Sequence, residues 1–117
     1  MNIVGFIAFL LLSSCIESKQ PQVDHKAKLS VSFFSRGGGI DYKKRGELDT
    51  YLAAFQKNEK INLSVEQLKW GREGEIDYCV DLKSLSKSKV KKLIKGVRLL
   101  LGSSDLVRIT EVDMCRH

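Results

Sequence analysis

The chain has 117 residues with a formal net charge of +6 at pH 7, and 43% of its residues are apolar. This length suits one domain with a modest core, and the apolar content is ordinary for a globular protein. We find no internal repeat and no low-complexity segment, which excludes a repeat or fibrous architecture.

The first fifteen residues form an apolar segment with a defined end. Residues 3–12 read IVGFIAFLLL, and Ser13, Ser14 and Cys15 follow. An uncharged apolar run of this length that ends in small residues predicts a secretory signal. It is shorter than the roughly 20 apolar residues that span a bilayer, so it does not predict a transmembrane helix. Leu12-Ser13-Ser14-Cys15 resembles the lipobox of bacterial lipoproteins. The resemblance implies cleavage before Cys15 and lipid on its sulfur. A buried N-terminal element and a signal without lipid are the alternatives.

This resemblance divides the chain into three parts. We expect a cleaved signal peptide over 1–14, a lipidated Cys15 with a tether over 15–27, and a folded domain over 28–117. Ile16 is not the aspartate that retains some lipoproteins in the inner membrane. The resemblance therefore implies a lipid anchor in the bacterial cell envelope, at the outer membrane and facing the periplasm or the surface. In the tether, His25 is expected to be solvated rather than a metal ligand.

The first half of the domain reads as a strand followed by a helix. Residues 28–35, KLSVSFFS, alternate between two faces, which predicts a strand with one buried face. The segment Arg36–Gly39 ends this strand, and Asp41 is expected to cap a helix over 42–57. The apolar face of this helix comprises Leu48, Tyr51, Leu52 and Phe55.

The second half reads as a hairpin, a helix and a last strand. Residues 61–70 and 75–82 predict two strands joined by the turn Gly71–Gly74. Ser84 or Ser86 is expected to cap the second helix, and Gly102 is expected to end it as a C′ glycine. The apolar stripe of this helix comprises Val90, Leu93, Ile94, Val97, Leu100 and Leu101, and residues 106–113 predict the final strand.

The order strand-helix-strand-strand-helix-strand predicts an α+β fold of the ferredoxin-like split βαβ type. Its four-stranded antiparallel sheet has the first and third strands in the centre and both helices on one face. This fold hosts many unrelated functions, so it indicates none by itself.

Two cysteines, Cys79 and Cys115, remain once Cys15 is lipidated. An even number outside the cytoplasm predicts a disulfide between them, with two unpaired thiols as the alternative. In the predicted sheet their strands flank the first strand, so their axes lie about 10 Å apart. The bridge therefore requires the tail after Asp113 to turn across the open face of the sheet.

Loops from both halves of the domain meet at the end of the sheet opposite the tether. We expect this end to be the contact surface for an envelope protein or ligand, because Trp and Arg are favoured at interaction sites. Loops that only reverse the chain, and a Trp packed on the sheet, are the alternatives. The candidate residues are Arg36, Gly37, Gly38, Gly39, Trp70, Arg72 and Glu73.

Two other functions remain open. An enzyme could use the Gly37–Gly39 loop as a phosphate cradle, although the Walker A, dinucleotide and acylphosphatase patterns are all missing here. A membrane-surface module could use a basic stripe on the second helix, which a solvated helix face explains as well. The stripe comprises Lys87, Lys91, Lys95 and Arg98, with Lys89 and Lys92 beside it.

We expect no enzyme activity, no metal, no cofactor and no nucleic-acid partner. Asp77, Cys79 and Asp81 share a strand face that Cys115 and His117 could reach, but no pair of them has metal-ligand spacing. The segments SFFSRGGGIDY and KWGREGEIDYC resemble small, uncharacterised bacterial lipoproteins. That likeness implies no activity. The function that we expect is non-catalytic, in binding or in envelope structure, with the oligomeric state left open.

Overall fold

The computed structural model describes residues 25–116, and its six elements follow the predicted order. They are β1 (Lys28–Phe33), α1 (Tyr42–Glu59), β2 (Val65–Lys69), β3 (Ile76–Asp81), α2 (Lys87–Leu101) and β4 (Val107–Val112). The predicted signal peptide, Cys15, the tether up to residue 24 and His117 lie outside the described residues.

The sheet has the strand order β2-β3-β1-β4, and every neighbouring pair is antiparallel. This confirms the α+β fold with β1 and β3 in the centre. Leu29, Val31 and Phe33 of β1 are fully buried, whereas the alternate residues are only partly covered. Because side chains of a strand alternate between its two faces, the helices cover one face and leave the other open. We call this second surface the open sheet face.

The helices form where their apolar periodicity predicted them. Asp41 caps α1 by accepting a hydrogen bond from the Lys44 amide at 3.0 Å, and Ser86 caps α2 by accepting from the Lys89 amide. Their buried residues are Leu48, Leu52 and Phe55 in α1, and Val90, Leu93, Val97 and Leu101 in α2. These residues close the core against the sheet.

Gly102 does not act as the left-handed C′ glycine that we predicted. It is the C-cap of α2 with φ −65° and ψ −16°, which is a right-handed helical conformation. The left-handed cap occurs instead at Lys60, with φ 54°, after α1. The glycine after α2 therefore ends the helix without the positive φ that usually favours glycine at such a position.

The second strand is shorter than predicted, and the residues just before β1 contact the domain. Ile61 and Leu63 donate their amides to the main chain and side chain of Gln56, so this segment packs on α1 before β2 begins. At the other end, Ala27 accepts a hydrogen bond from the Leu82 amide at 2.8 Å. A ring nitrogen of His25 lies 3.3 Å from the Leu85 carbonyl, so the end of the predicted tether contacts the domain.

Candidate binding surface on the open sheet face

The C-terminal tail crosses the open sheet face and meets β3. Cys79 on β3 and Thr110 on β4 both lie opposite Ser30 of β1, so the central strand separates them. Beyond β4 the tail reaches back across β1, and the sulfur atoms of Cys79 and Cys115 lie at disulfide distance, 1.99 Å apart. Their Cα atoms are 6.1 Å apart. The crossing that the bridge requires is therefore present.

A buried carboxylate lies beside this crossing. Asp77 on β3 is only 4% exposed, although an acidic side chain is rarely buried without partners. It accepts hydrogen bonds from the Ser32 hydroxyl at 2.5 Å and from the Trp70 indole Nε1 at 2.8 Å. Arg116 of the tail lies 3.6 Å from its second oxygen. These three partners satisfy the charge, because donors from β1, from the residue after β2 and from the tail converge on it.

Arg116 also covers the aromatic ring that donates to Asp77. Its guanidinium carbon lies 5.2 Å from the centre of the Trp70 ring, within the range of a cation–π contact. Trp70 remains 39% exposed. A shallow cavity of about 370 Å³ borders this group and is lined by Leu68, Lys69, Trp70, Asp77 and Arg116. The tail thus positions a cation, a carboxylate and an indole next to one another.

A second aromatic ring on the same face has two cations beside it. Phe34 follows β1, and the guanidinium carbons of Arg36 and Arg108 lie 5.8 and 5.6 Å from its ring centre. Both arginines are exposed. The open sheet face therefore carries three arginines, each placed over or beside an aromatic ring, and this pairing suits the recognition of planar or acidic groups.

Two backbone amides of the Gly37–Gly39 loop bind a side chain of the protein itself. The amides of Gly37 and Gly39 donate to the Ser35 hydroxyl at 3.1 and 2.9 Å, and this hydroxyl in turn donates to the Glu73 carboxylate. Gly37 and Gly39 have φ values of 108° and 87°, which other residues rarely adopt. The loop is thus closed by a serine and lies beside a negative charge, so its geometry disfavours an anion.

The first turn of α1 is occupied in the same way. Asp41 accepts from the Lys44 amide, and its other oxygen accepts from the Ser104 hydroxyl at 2.9 Å. The Lys44 amide holds the pKa of the Asp41 carboxyl below its ordinary value, although partial burial acts in the opposite direction. The helix N-terminus, which attracts anions, is therefore neutralised by the chain's own carboxylate.

The predicted contact residues fall into two groups. Arg36, the three glycines and Glu73 do meet at one end of the sheet, because the Ser35 hydroxyl joins both loops. Arg72 is exposed in the turn. Trp70, in contrast, turns away from this end, and its indole donates to Asp77. This agrees with the alternative in which the Trp packs on the sheet.

Sequence reasoning missed the partners of Trp70 and Phe34. Asp77 had a signal, since it is an acid between two apolar residues of a strand and shares its face with Ser32. Arg116 and Arg108 had none, because their positions follow from the path of the tail and from the register between β1 and β4.

No group of acidic, histidine or cysteine side chains in the described part of the chain could hold a metal ion. Neither helix of residues 25–116 has the length and apolarity that a bilayer crossing requires. The chain matches no protein-family model, no curated protein and no solved structure.

Proposed function

We propose that the protein is a non-catalytic binding module, anchored to the bacterial cell envelope through lipid on Cys15, and that the open sheet face is its contact surface. The observation that carries the proposal is the convergence of Arg116, Trp70 and Asp77 under a tail that Cys79 and Cys115 hold across the sheet. The anchor itself depends on the lipobox-like segment Leu12-Ser13-Ser14-Cys15.

The arrangement favours binding because its polar groups are already positioned. Side chains that are fixed before contact lose little conformational freedom when a partner arrives, and Trp and Arg supply much of the affinity at protein interfaces. The partner that fits this surface is an envelope protein or ligand that presents acidic or planar groups to Arg36, Arg108 and Arg116.

Metabolic labelling tests the anchor. Cells that express the wild-type chain and the Cys15→Ser chain are grown with radioactive palmitate. We expect label in the wild-type protein and none in the variant. Label in the Cys15→Ser chain, or recovery of the native protein from the cytosol with Met1 in place, would contradict the anchor.

Site-specific crosslinking tests the contact surface. A photo-reactive residue replaces Met114, which is 77% exposed and lines the open sheet face beside Cys115. The control places the same residue at Ala54, an exposed position on α1. We expect a discrete crosslinked product from position 114 only. Equal products from both positions would show that the open sheet face is not the preferred contact.

A further inference from the structure

The net charge of the chain is concentrated on one helix. α2 contains six of the 20 basic residues and no acidic residue, so the rest of the chain balances 14 basic residues against 14 acidic ones. A charge of one sign on a single 15-residue element creates a directed field, whereas the same charge scattered over the surface does not. The basic residues of α2 therefore account for the entire formal net charge of the chain.

This charge borders a groove with an apolar floor. The groove has a volume of about 930 Å³ and lies between α2 and two adjacent segments, which contribute His25 with Lys26 and Glu111 with Asp113. Val90 and Ile94 contribute apolar surface, and Leu99 is 77% exposed at its edge. Lys91 and Lys95 line it from the helix. A large exposed apolar residue among lysines is typical of surfaces that meet lipid headgroups and the start of their acyl chains.

The acidic residues of the groove cancel only part of this charge. Glu111 pairs with Arg98 at 3.6 Å, and Asp113 pairs with Lys26 at 3.3 Å. Within residues 25–116, Lys91 and Lys95 form no ion pair. These two lysines are therefore available to an external anion, and they lie one turn apart on an exposed face.

The groove also begins where the chain leaves for the proposed anchor. His25 and Lys26 line it, and His25 lies ten positions after Cys15 in the chain. A fully extended chain of that length spans at most about 35 Å, and α2 is only about 22 Å long. A lipid on Cys15 would thus hold the bilayer surface within reach of the whole groove.

We infer that the basic face of α2 lies against a membrane surface and binds the phosphate groups of anionic phospholipids through Lys91 and Lys95, with Leu99 at the headgroup level. This inference extends the proposed anchoring at Cys15, and it leaves the open sheet face, on the other side of the sheet, free for its own partner. The anchor supplies the affinity for the bilayer, and α2 supplies the orientation.

The test uses residues 15–117 with Cys15→Ser, which is the proposed mature chain without its lipid and without the apolar signal peptide. Its binding to vesicles of phosphatidylglycerol is compared with its binding to vesicles of phosphatidylcholine. A second comparison adds Lys91→Gln with Lys95→Gln, and the matched control adds Lys43→Gln with Lys57→Gln on exposed positions of α1. Both pairs remove the same charge, and glutamine forms helices about as well as lysine.

We expect binding to phosphatidylglycerol that weakens with salt, as screening requires. Each basic residue near an anionic surface changes the partition coefficient about fivefold, so the α2 pair should lower it roughly 25-fold and the α1 pair less than about threefold. If both pairs of substitutions lowered the partition coefficient equally, binding would depend only on net charge, and the inference would be overturned. Equal binding to both lipids would also overturn it and leave an acidic protein as the occupant. Palmitate labelling of Cys15 tests the anchor separately.

Discussion

Replacing Cys79 and Cys115 together by alanine removes the link that holds the tail against the open sheet face. The link closes a segment with a sequence separation of 36 residues. On the chain-entropy argument, a closed loop of this length stabilises the folded state by about 4 kcal/mol. In a domain of this size each kcal/mol moves the melting temperature by about 4–8 °C, so the double variant should melt roughly 15–30 °C lower. Urea denaturation and calorimetry measure both quantities.

The same change has a local signal that unfolding does not supply. Trp70 is the only tryptophan of the chain, and the Arg116 guanidinium lies over its ring. When the tail is released at a temperature where the domain stays folded, the ring gains water and loses this cation. We expect its fluorescence emission to shift to longer wavelength in the double variant and in the wild-type protein after reduction.

Arg116→Gln with both cysteines intact is the control. It removes the cation from Trp70 without freeing the tail, so the fluorescence should change. The melting temperature should move less than in the double alanine variant, because the disulfide stays and the buried Asp77 keeps its hydrogen bonds from Ser32 and Trp70. If the double alanine variant keeps both the melting temperature and the Trp70 spectrum of the wild type, the tail is held by other contacts. The account of the open sheet face would then be wrong.

Four further substitutions test the packing of the helices and the cap of α1. Gly46→Ala should raise the free energy of unfolding by about 0.5–1 kcal/mol, because the added Cβ meets no atom. Gly96→Ala should lower it by about 1–3 kcal/mol, because its Cβ would lie 1.8 Å from the Tyr51 hydroxyl. Urea midpoints of the two variants that move in the same direction would contradict this. Asp41→Ala should cost about 1 kcal/mol at pH 7. Because the pKa of Asp41 is lowered in the folded state, the stabilisation that its carboxylate provides is complete above the ordinary value of 3.8 and is lost as the pH falls below it. Unfolding measured at pH 7 and at pH 2 should therefore show that Asp41→Ala costs less stability in acid. Tyr78→Phe removes a hydroxyl that donates to Asp49 at 2.5 Å and accepts from Arg45 at 3.2 Å. Urea denaturation should show that the free energy of unfolding falls by about 1–2 kcal/mol. An unchanged midpoint would mean that water replaces these hydrogen bonds at no cost.

The elements were predictable because each depends on neighbours in the chain. The alternation around Val31 and the helical spacing of Leu48 and Phe55 survive into the fold, and the order of six such elements leaves few topologies. Their ends were less predictable. β2 begins at Val65 because Gln56 of α1 holds the preceding segment, and that contact is not encoded in local spacing.

The candidate surface was only half predictable for a related reason. The loops with Arg36 and Glu73 had to meet once the topology was known, because strands that run in the same direction end on the same side. The direction of Trp70 was not determined by topology. It follows from the Asp77 carboxylate on the next strand, which its indole reaches across the sheet.

Local chemistry in the sequence determined the secondary structure, the antiparallel fold and the cysteine pair that could bridge, because periodicity, capping and residue type act over a few positions. The tertiary structure decided how Arg116 comes over Trp70 and how the charge of α2 comes to border a groove beside His25. Those arrangements join residues distant in the chain, and they arise only when the tail folds back across β1 and α2 packs beside the start of the domain.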